Sequence, residues 1–172
     1  MSNKVLVTYA SRTGTTAGVA EAIGAALSER GADVDVRPLT EVSDLSPYGA
    51  VIVGSAIRDR QWLPEATEWV QAYRAELAQK PCAAFLVCIT MAAKNEAYRQ
   101  GVREWMAPAR ALLHPVSEGY FAGALDLARV PTWRQRTGFK ISIMLGIWKE
   151  GDHRDWDAIR AWARNLPAPF AA

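Results

Sequence analysis

Residues 10–16 read Ala-Ser-Arg-Thr-Gly-Thr-Thr and set hydroxyl side chains at Ser11, Thr13, Thr15 and Thr16 around Gly14, with Arg12 among them. The segment follows an apolar run, KVLVTY at 4–9, and opens an Ala-rich stretch. A strand that feeds a helix through such a loop presents free backbone N–H groups and hydroxyl donors together, which suits a phosphate. A hydroxyl-rich N-cap with a purely structural role is the competing reading, because Ser and Thr cap helices anywhere. The position after the first strand favours the anion. The chain has no G-x-G-x-x-G and no G-x-x-x-x-G-K-[ST], so neither a dinucleotide fingerprint nor a nucleoside triphosphatase loop is present. The acidic residues that a receiver domain carries after its first strand are also missing.

The elements that must position this loop alternate in type. Residues 4–9 form a first strand. Residues 14–30 form a helix with Ala20, Ile23 and Leu27 at helical spacing, stopped at Gly31. DVDVR at 33–37 alternates as a second strand, and AVIVGS at 50–55 is a third, apolar on both faces. Two-sided burial of this kind suits a parallel sheet covered by helices. A helix over 64–79 shows Trp69, Tyr73 and Leu77 on one face. The fourth strand covers 82–89. A helix over 95–109 carries Tyr98, Val102, Trp105 and Met106. A fifth strand covers 119–125, and a last helix near 155–165 turns Trp156, Ile159, Trp162 and Leu166 inward. This order predicts an α/β chain, a doubly wound five-stranded parallel sheet with right-handed crossovers and helices on both faces. Ligands in such sheets bind beyond the carboxyl ends of the strands.

Composition bounds the remaining possibilities. The chain has 172 residues, 50% hydrophobic and 22% charged, which predicts one domain over 1–172 with a substantial core. Its net charge of +2 is too small to argue for nucleic acid. No apolar stretch approaches the roughly 20 residues of a membrane span, and the opening MSNKVLVTYAS has no signal-peptide pattern. Cys82 and Cys88 stand roughly 20 Å apart along a strand, beyond disulfide reach, and read as buried thiols on one face, in keeping with a cytoplasmic location. The two cysteines with His114 and His153 make no metal set.

Ser11-Arg12-Thr13-Gly14-Thr15-Thr16 resembles the flavodoxin phosphate signature [ST]-x-T-G-x-T. The resemblance implies a flavodoxin-like fold with strand order 2-1-3-4-5 and FMN as cofactor, its phosphate on residues 11–16. It also implies that the loops after strands three and four flank the flavin ring. In the first of these, Ser55 and Ala56 are small enough for close approach to a flat ring, with Ile57 and Arg58 beside it. Arg58 could meet an anionic flavin or an acidic substrate, or be a solvated charge. Trp62 could stack on a ligand, or pin the next helix. Arg60 is a further candidate substrate contact. In the second loop, Thr90 and the backbone amides of Met91, Ala92 and Ala93 could bond the flavin carbonyls. Lys94 could approach its pyrimidine edge, or be a surface lysine.

VIVGSAIR at 51–58, the AGAL ending of strand five, a long basic insert and the closing DWDAIRAWA are similar to the flavodoxin-like, quinone-dependent protoporphyrinogen oxidases. That resemblance implies oxidation of protoporphyrinogen IX to protoporphyrin IX, a step of haem biosynthesis, with a tetrapyrrole substrate and a quinone acceptor. The flavin carries the chemistry, and no side chain acts as an obligatory base. Thr13 stands where that family often has an acidic residue, and the insert is short for it. An electron-carrying flavodoxin and an NAD(P)H-quinone reductase are the alternatives.

The insert spans about 126–150. Residues 129–149 hold five arginines and lysines and no acid, which leaves the rest of the chain at −3. Residues 139–148 are nearly all apolar, yet as a helix they measure only about 15 Å, half a bilayer core. The segment can lie on an anionic membrane surface on the cytoplasmic side but cannot cross it. Packing on the chain's own sheet and a homodimer contact are the competing expectations.

Overall fold

The structure is a computed structural model describing residues 4–130 and 132–171. The opening tripeptide, Pro131 within the insert and Ala172 lie outside the described residues. Five parallel strands form the sheet: β1 (Lys4–Ala10), β2 (Asp33–Pro38), β3 (Ala50–Arg58), β5 (Cys82–Cys88) and β6 (Glu118–Ala122), in the order β2-β1-β3-β5-β6. This is the strand order 2-1-3-4-5 that the resemblance to flavodoxins implies. A two-residue strand, β4 (Gln61–Trp62), folds back antiparallel on the end of β3, pairing Ile57 with Trp62 and Arg58 with Gln61. Asp59 and Arg60 make that turn with left-handed backbone, φ 51° and 64°, as a tight hairpin between right-twisted strands requires.

Period-two alternation sorts each central strand between two cores. Leu6, Val51, Val53, Ala84 and Leu86 face one side, while Val5, Val7, Ile52, Ala83 and Phe85 face the other. The first side is covered by α2 (Pro64–Ala72), α3 (Arg74–Leu77), α4 (Glu96–Glu104) and α5 (Ala107–Leu113), through Trp69, Val70, Leu77, Val102, Ala109 and Leu113. The second is covered by α1 (Thr15–Ser28) and α7 (Trp156–Arg164), through Val19, Ile23, Leu27, Ile159 and Ala163. Cys82 and Cys88 are free, buried, and on the same face of β5. Burial pushes both thiols up, Cys82 to about 11.

The expected helix over 64–79 breaks at Tyr73, and the one over 95–109 ends at Glu104. Pro108 sits in the first turn of α5, where its missing N–H does no harm, so the chain restarts there instead of continuing α4. Tyr98 is exposed, not inward. The expected fifth strand splits. β6 ends at Ala122, the chain leaves the sheet at Gly123, and β7 (Ala124–Leu125) pairs antiparallel with β8 (Gly151–Asp152). The insert, residues 126–150, is therefore closed by a two-stranded clip. It contains α6 (Trp133–Met144), capped by Thr132, which accepts the Gln135 N–H at 3.4 Å. No helix among the described residues is long and apolar enough to cross a membrane.

Gly54 lies between Tyr9 and Phe85 in the sheet register, and a Cβ there would overlap the Phe85 ring. Phe85 cannot yield easily, because its ring is enclosed by Phe121 and Trp162 with centroids 6.2 and 6.3 Å away. Gly54→Ala is expected to lower unfolding free energy by roughly 1–3 kcal/mol in urea titration. Gly101→Ala, inside α4 with open space around it, should raise it by about 0.5–1 kcal/mol.

The clip contributes an acid-sensitive pair. Arg154 donates from Nε and Nη2 to the two oxygens of Asp152 at 2.8 and 2.7 Å. These bonds hold the Asp152 carboxyl below the usual carboxylate range, outweighing the opposing effect of burial. The folded carboxyl thus takes up its proton less readily than the unfolded one. Its contribution is complete above the unfolded value of about 3.9 and is lost as pH falls through the folded value. Wild type should exceed Asp152→Asn in stability at pH 6, and the gap should narrow as pH falls below the unfolded value of about 3.9, by chemical denaturation across that range.

Candidate functional site

The carboxyl ends of β1, β3, β5 and β6 share one edge of the sheet, and a cavity of about 940 Å³ opens there. Its wall includes Arg12, Thr13, Gly14, Thr15 and Thr16 from the first loop and Ala56, Ile57, Arg58 and Asp59 from the end of β3. Val87, Cys88 and Ile89 line it from β5, Gly123–Asp126 follow from the exit of β6, and Glu150–Asp152 with Arg154 come from the returning clip. On the insert side stand Arg129, Val130 and one stripe of α6: Gln135, Gly138, Phe139 and Ser142.

The first loop is built to receive an anion. Gly14 precedes α1 with left-handed backbone, φ 84°, a conformation that costs a side-chain-bearing residue roughly 1–2 kcal/mol. No side chain caps α1, so its first-turn N–H groups are left for another acceptor. Ser11 Oγ accepts the Gly14 N–H at 3.1 Å and holds the loop's curvature. Thr13 and Thr15 hydroxyls meet at 3.2 Å. Thr16 Oγ1 is buried with no hydrogen-bond partner among the described residues, although Thr16 lines the cavity. An orphaned hydroxyl and uncapped amides beside a space of this size fit the phosphate of FMN.

The charges around the loop are paired. Arg12 reaches Glu65 on α2 through Nε at 3.2 Å and Nη2 at 3.0 Å. Burial pushes the Glu65 carboxyl up, but the Arg12 bonds and charge outweigh it and leave it below the usual carboxylate range. Arg58 has only a loose approach to Asp59, 3.8 Å.

Not every sequence candidate reaches the cavity. Ser55 is fully buried beneath it, donating to Ala56 O at 2.8 Å and accepting the Leu63 N–H at 3.0 Å, which fixes the start of α2. Trp62 is 5% exposed and packed in the core under α2, the pinning role and not the stacking one. Arg60 sits at the exposed hairpin tip. Residues 89–92 wind into a 3-10 turn that carries Thr90, Met91, Ala92, Ala93 and Lys94 off the cavity wall and leaves Cys88 and Ile89 on it. Ser11 supports the loop from behind without lining the space. Conversely, Gly123–Asp126, Arg129, Glu150–Asp152 and Arg154 were not among the sequence candidates. The paired glycine-acid spacings, Gly123 with Asp126 and Gly151-Asp152, are the only local signal they carry.

No curated protein is similar enough in sequence to count as a relative. Among solved structures, the rubredoxin oxygen:oxidoreductase of Desulfovibrio gigas superposes with a TM-score of 0.51 at 20% identity, over 99% of this chain and 38% of that one. The flavodiiron protein of Giardia intestinalis gives 0.51 at 17% identity, over 96% and 38%. Flavodoxin 1 of Bacillus cereus gives 0.49 at 18%, over 84% and 99%. The chain thus spans under two fifths of the first two proteins, and its likeness to them is one of fold. The family model described as a flavodoxin domain matches residues 6–150, from β1 to the clip that closes the insert. The chain belongs to the flavodoxin domain family, a membership that implies FMN binding.

Proposed function

We propose that the protein is an FMN-dependent oxidoreductase that oxidises a small acidic molecule held between the flavin and α6, with protoporphyrinogen IX as substrate and a quinone as acceptor. The observation that carries this reading is the cavity's far wall. A stripe of α6 at spacings of three and four residues, Gln135, Gly138, Phe139 and Ser142, faces inward opposite the phosphate loop. At about 940 Å³ the space lies near the top of the range for small-ligand sites, which leaves room beside a cofactor.

Bound FMN would supply the electron transfer. The chain's residues would do the rest. The first loop fixes the phosphate, Ile57, Leu125 and Phe139 offer an apolar wall, and Arg58, only loosely engaged by Asp59, is free to pair a substrate carboxylate. Protoporphyrinogen IX loses six electrons and six protons in becoming protoporphyrin IX, and three quinones take them up as three quinols.

An electron-carrying flavodoxin is the second reading, favoured by the family match itself. Anaerobic assay of the FMN-loaded protein with protoporphyrinogen IX and menaquinone separates the two. Porphyrin formed above the enzyme-free rate supports the oxidase. No such formation, with two well-separated one-electron potentials, supports the carrier, and NADPH oxidation in its place supports a quinone reductase.

The outer side of the insert supports a membrane-facing role for the acceptor. Trp133, Met144, Leu145 and Ile147 are 73, 86, 68 and 58% exposed, beside Arg134, Arg136, Lys140 and Lys149. Apolar side chains flanked by cations, with no acid among residues 129–149, complement an anionic bilayer surface. Co-sedimentation with phosphatidylglycerol vesicles, weakened by salt and by Met144→Glu with Leu145→Glu, is the expected result. Equal binding to phosphatidylcholine vesicles, or none to either together with a dimer in solution, would reject the membrane.

A further inference from the structure

Three guanidinium groups converge on the phosphate loop, and two of them come from more than a hundred residues away. Arg12 is committed to Glu65 by two hydrogen bonds. Arg154 is held by both oxygens of Asp152 and lies over the Trp156 ring at 4.3 Å. Its Nη1 donates to the carbonyl of Thr15 at 3.3 Å. Arg129, at the start of the insert, has Nε 3.3 Å from Asp126. Its Nη1 donates to the carbonyl of Thr13 at 3.0 Å and would stand 3.6 Å from a Cβ placed on Gly14.

Each group, besides its aspartate, thus reaches one backbone carbonyl at the start of α1: Arg129 that of Thr13, beside Gly14, and Arg154 that of Thr15, where its Nη1 also lies against Gly18. A carbonyl is a weak partner for a guanidinium beside a doubly charged phosphate, which accepts shorter and stronger charge-assisted bonds. The loop itself offers only amides and hydroxyls apart from Arg12, whose guanidinium is turned toward Glu65 on α2.

We propose that Arg154 and Arg129 complete the phosphate site with positive charge, and that Arg129 thereby ties the insert to the bound cofactor. The inference rests on FMN as the ligand. Arg154 is the fixed member, braced by Asp152 and Trp156. Arg129 is the adjustable one, because its side chain is largely exposed and turns from Thr13 O to the phosphate without disturbing the core. A phosphate grasped by Arg129 holds residues 129–130 against the loop, and with them the helix that walls the cavity. Cofactor binding and insert order become linked, and the linkage works in both directions.

The full-length apoprotein, titrated with FMN and with riboflavin by flavin fluorescence, tests this. Riboflavin carries the same ring without the phosphate. Arg129→Ala should weaken FMN about tenfold or more and leave riboflavin unchanged. Arg154→Lys, which keeps the charge but loses the fork, should weaken FMN by a smaller factor with riboflavin again unchanged. In limited proteolysis, FMN should slow tryptic cleavage after Lys140 in wild type. Riboflavin should not slow it, and neither ligand should in Arg129→Ala. An unaltered FMN-to-riboflavin ratio in Arg129→Ala, or equal protection by the two ligands, overturns the proposal while the cofactor stands. A wild-type chain that binds neither flavin overturns both.

Discussion

A parallel sheet has to be joined by crossovers, and the crossovers have to cover both of its faces. Most of this molecule follows from that constraint. Each central strand is apolar on both sides because helices lie on both sides, and α1, α2 and α4 start where the carboxyl ends of β1, β3 and β5 have emerged. The free N–H groups of helix starts and the bare carboxyl ends of strands collect on one edge as a result. The interior cannot absorb them, since it is filled to the point where Gly54 must lack a Cβ to admit Phe85. The site is what a doubly wound sheet leaves unsatisfied, concentrated at α1 because no side chain caps it.

An anion at that edge meets few cations from the loop itself, since Arg12 turns toward Glu65 on α2. The fold meets this by returning the chain twice. Once as the insert leaves and once as the clip closes, an arginine arrives beside the loop, each with its own aspartate three or two residues away: Asp126 for Arg129 and Asp152 for Arg154. Those aspartates hold the guanidinium groups in place. The near-neutral net charge conceals this arrangement, in which cations are concentrated around one end of an otherwise acidic core.

The parts of the fold that were legible in the sequence are those with a period. Alternation in 33–37, the unbroken apolar runs of 50–55 and 82–88, and the three-and-four spacing of Ala20, Ile23 and Leu27 identify strands and a covering helix without any structure. The hydroxyl loop was legible for a different reason: its chemistry is local, carried by consecutive residues. What escaped is non-local or too short for a period. β7 and β8 are two residues each, 26 residues apart, and only their pairing brings Asp126, Arg129 and Arg154 to the phosphate loop. After β5 the chain winds into a 3-10 turn over 89–92, so that Cys88 and Ile89, and not residues 90–94, stand on the cavity wall, a local winding that the residues there do not signal. Trp62 read equally well as a stacking ring or a packing one, and the short β4 pairing decided for packing by turning it under α2.

The insert's helix leaves large apolar side chains in solvent, mixed with cations, that a helix packed on its own domain would bury. Its cavity face carries Gln135, Gly138 and Ser142 with Phe139, while Trp133, Ile141 and Met144 face out. A helix buried against the sheet would reverse that pattern, since each exposed apolar side chain forgoes roughly 1.5–3 kcal/mol of burial. The clip and the Arg129 bond to Thr13 hold the insert near its ends. One surface is thereby separated from the cavity by the thickness of a single helix, about 10–12 Å. A membrane lying on that face would bring a quinone in its interfacial layer close to a flavin in the cavity, with no channel required between them.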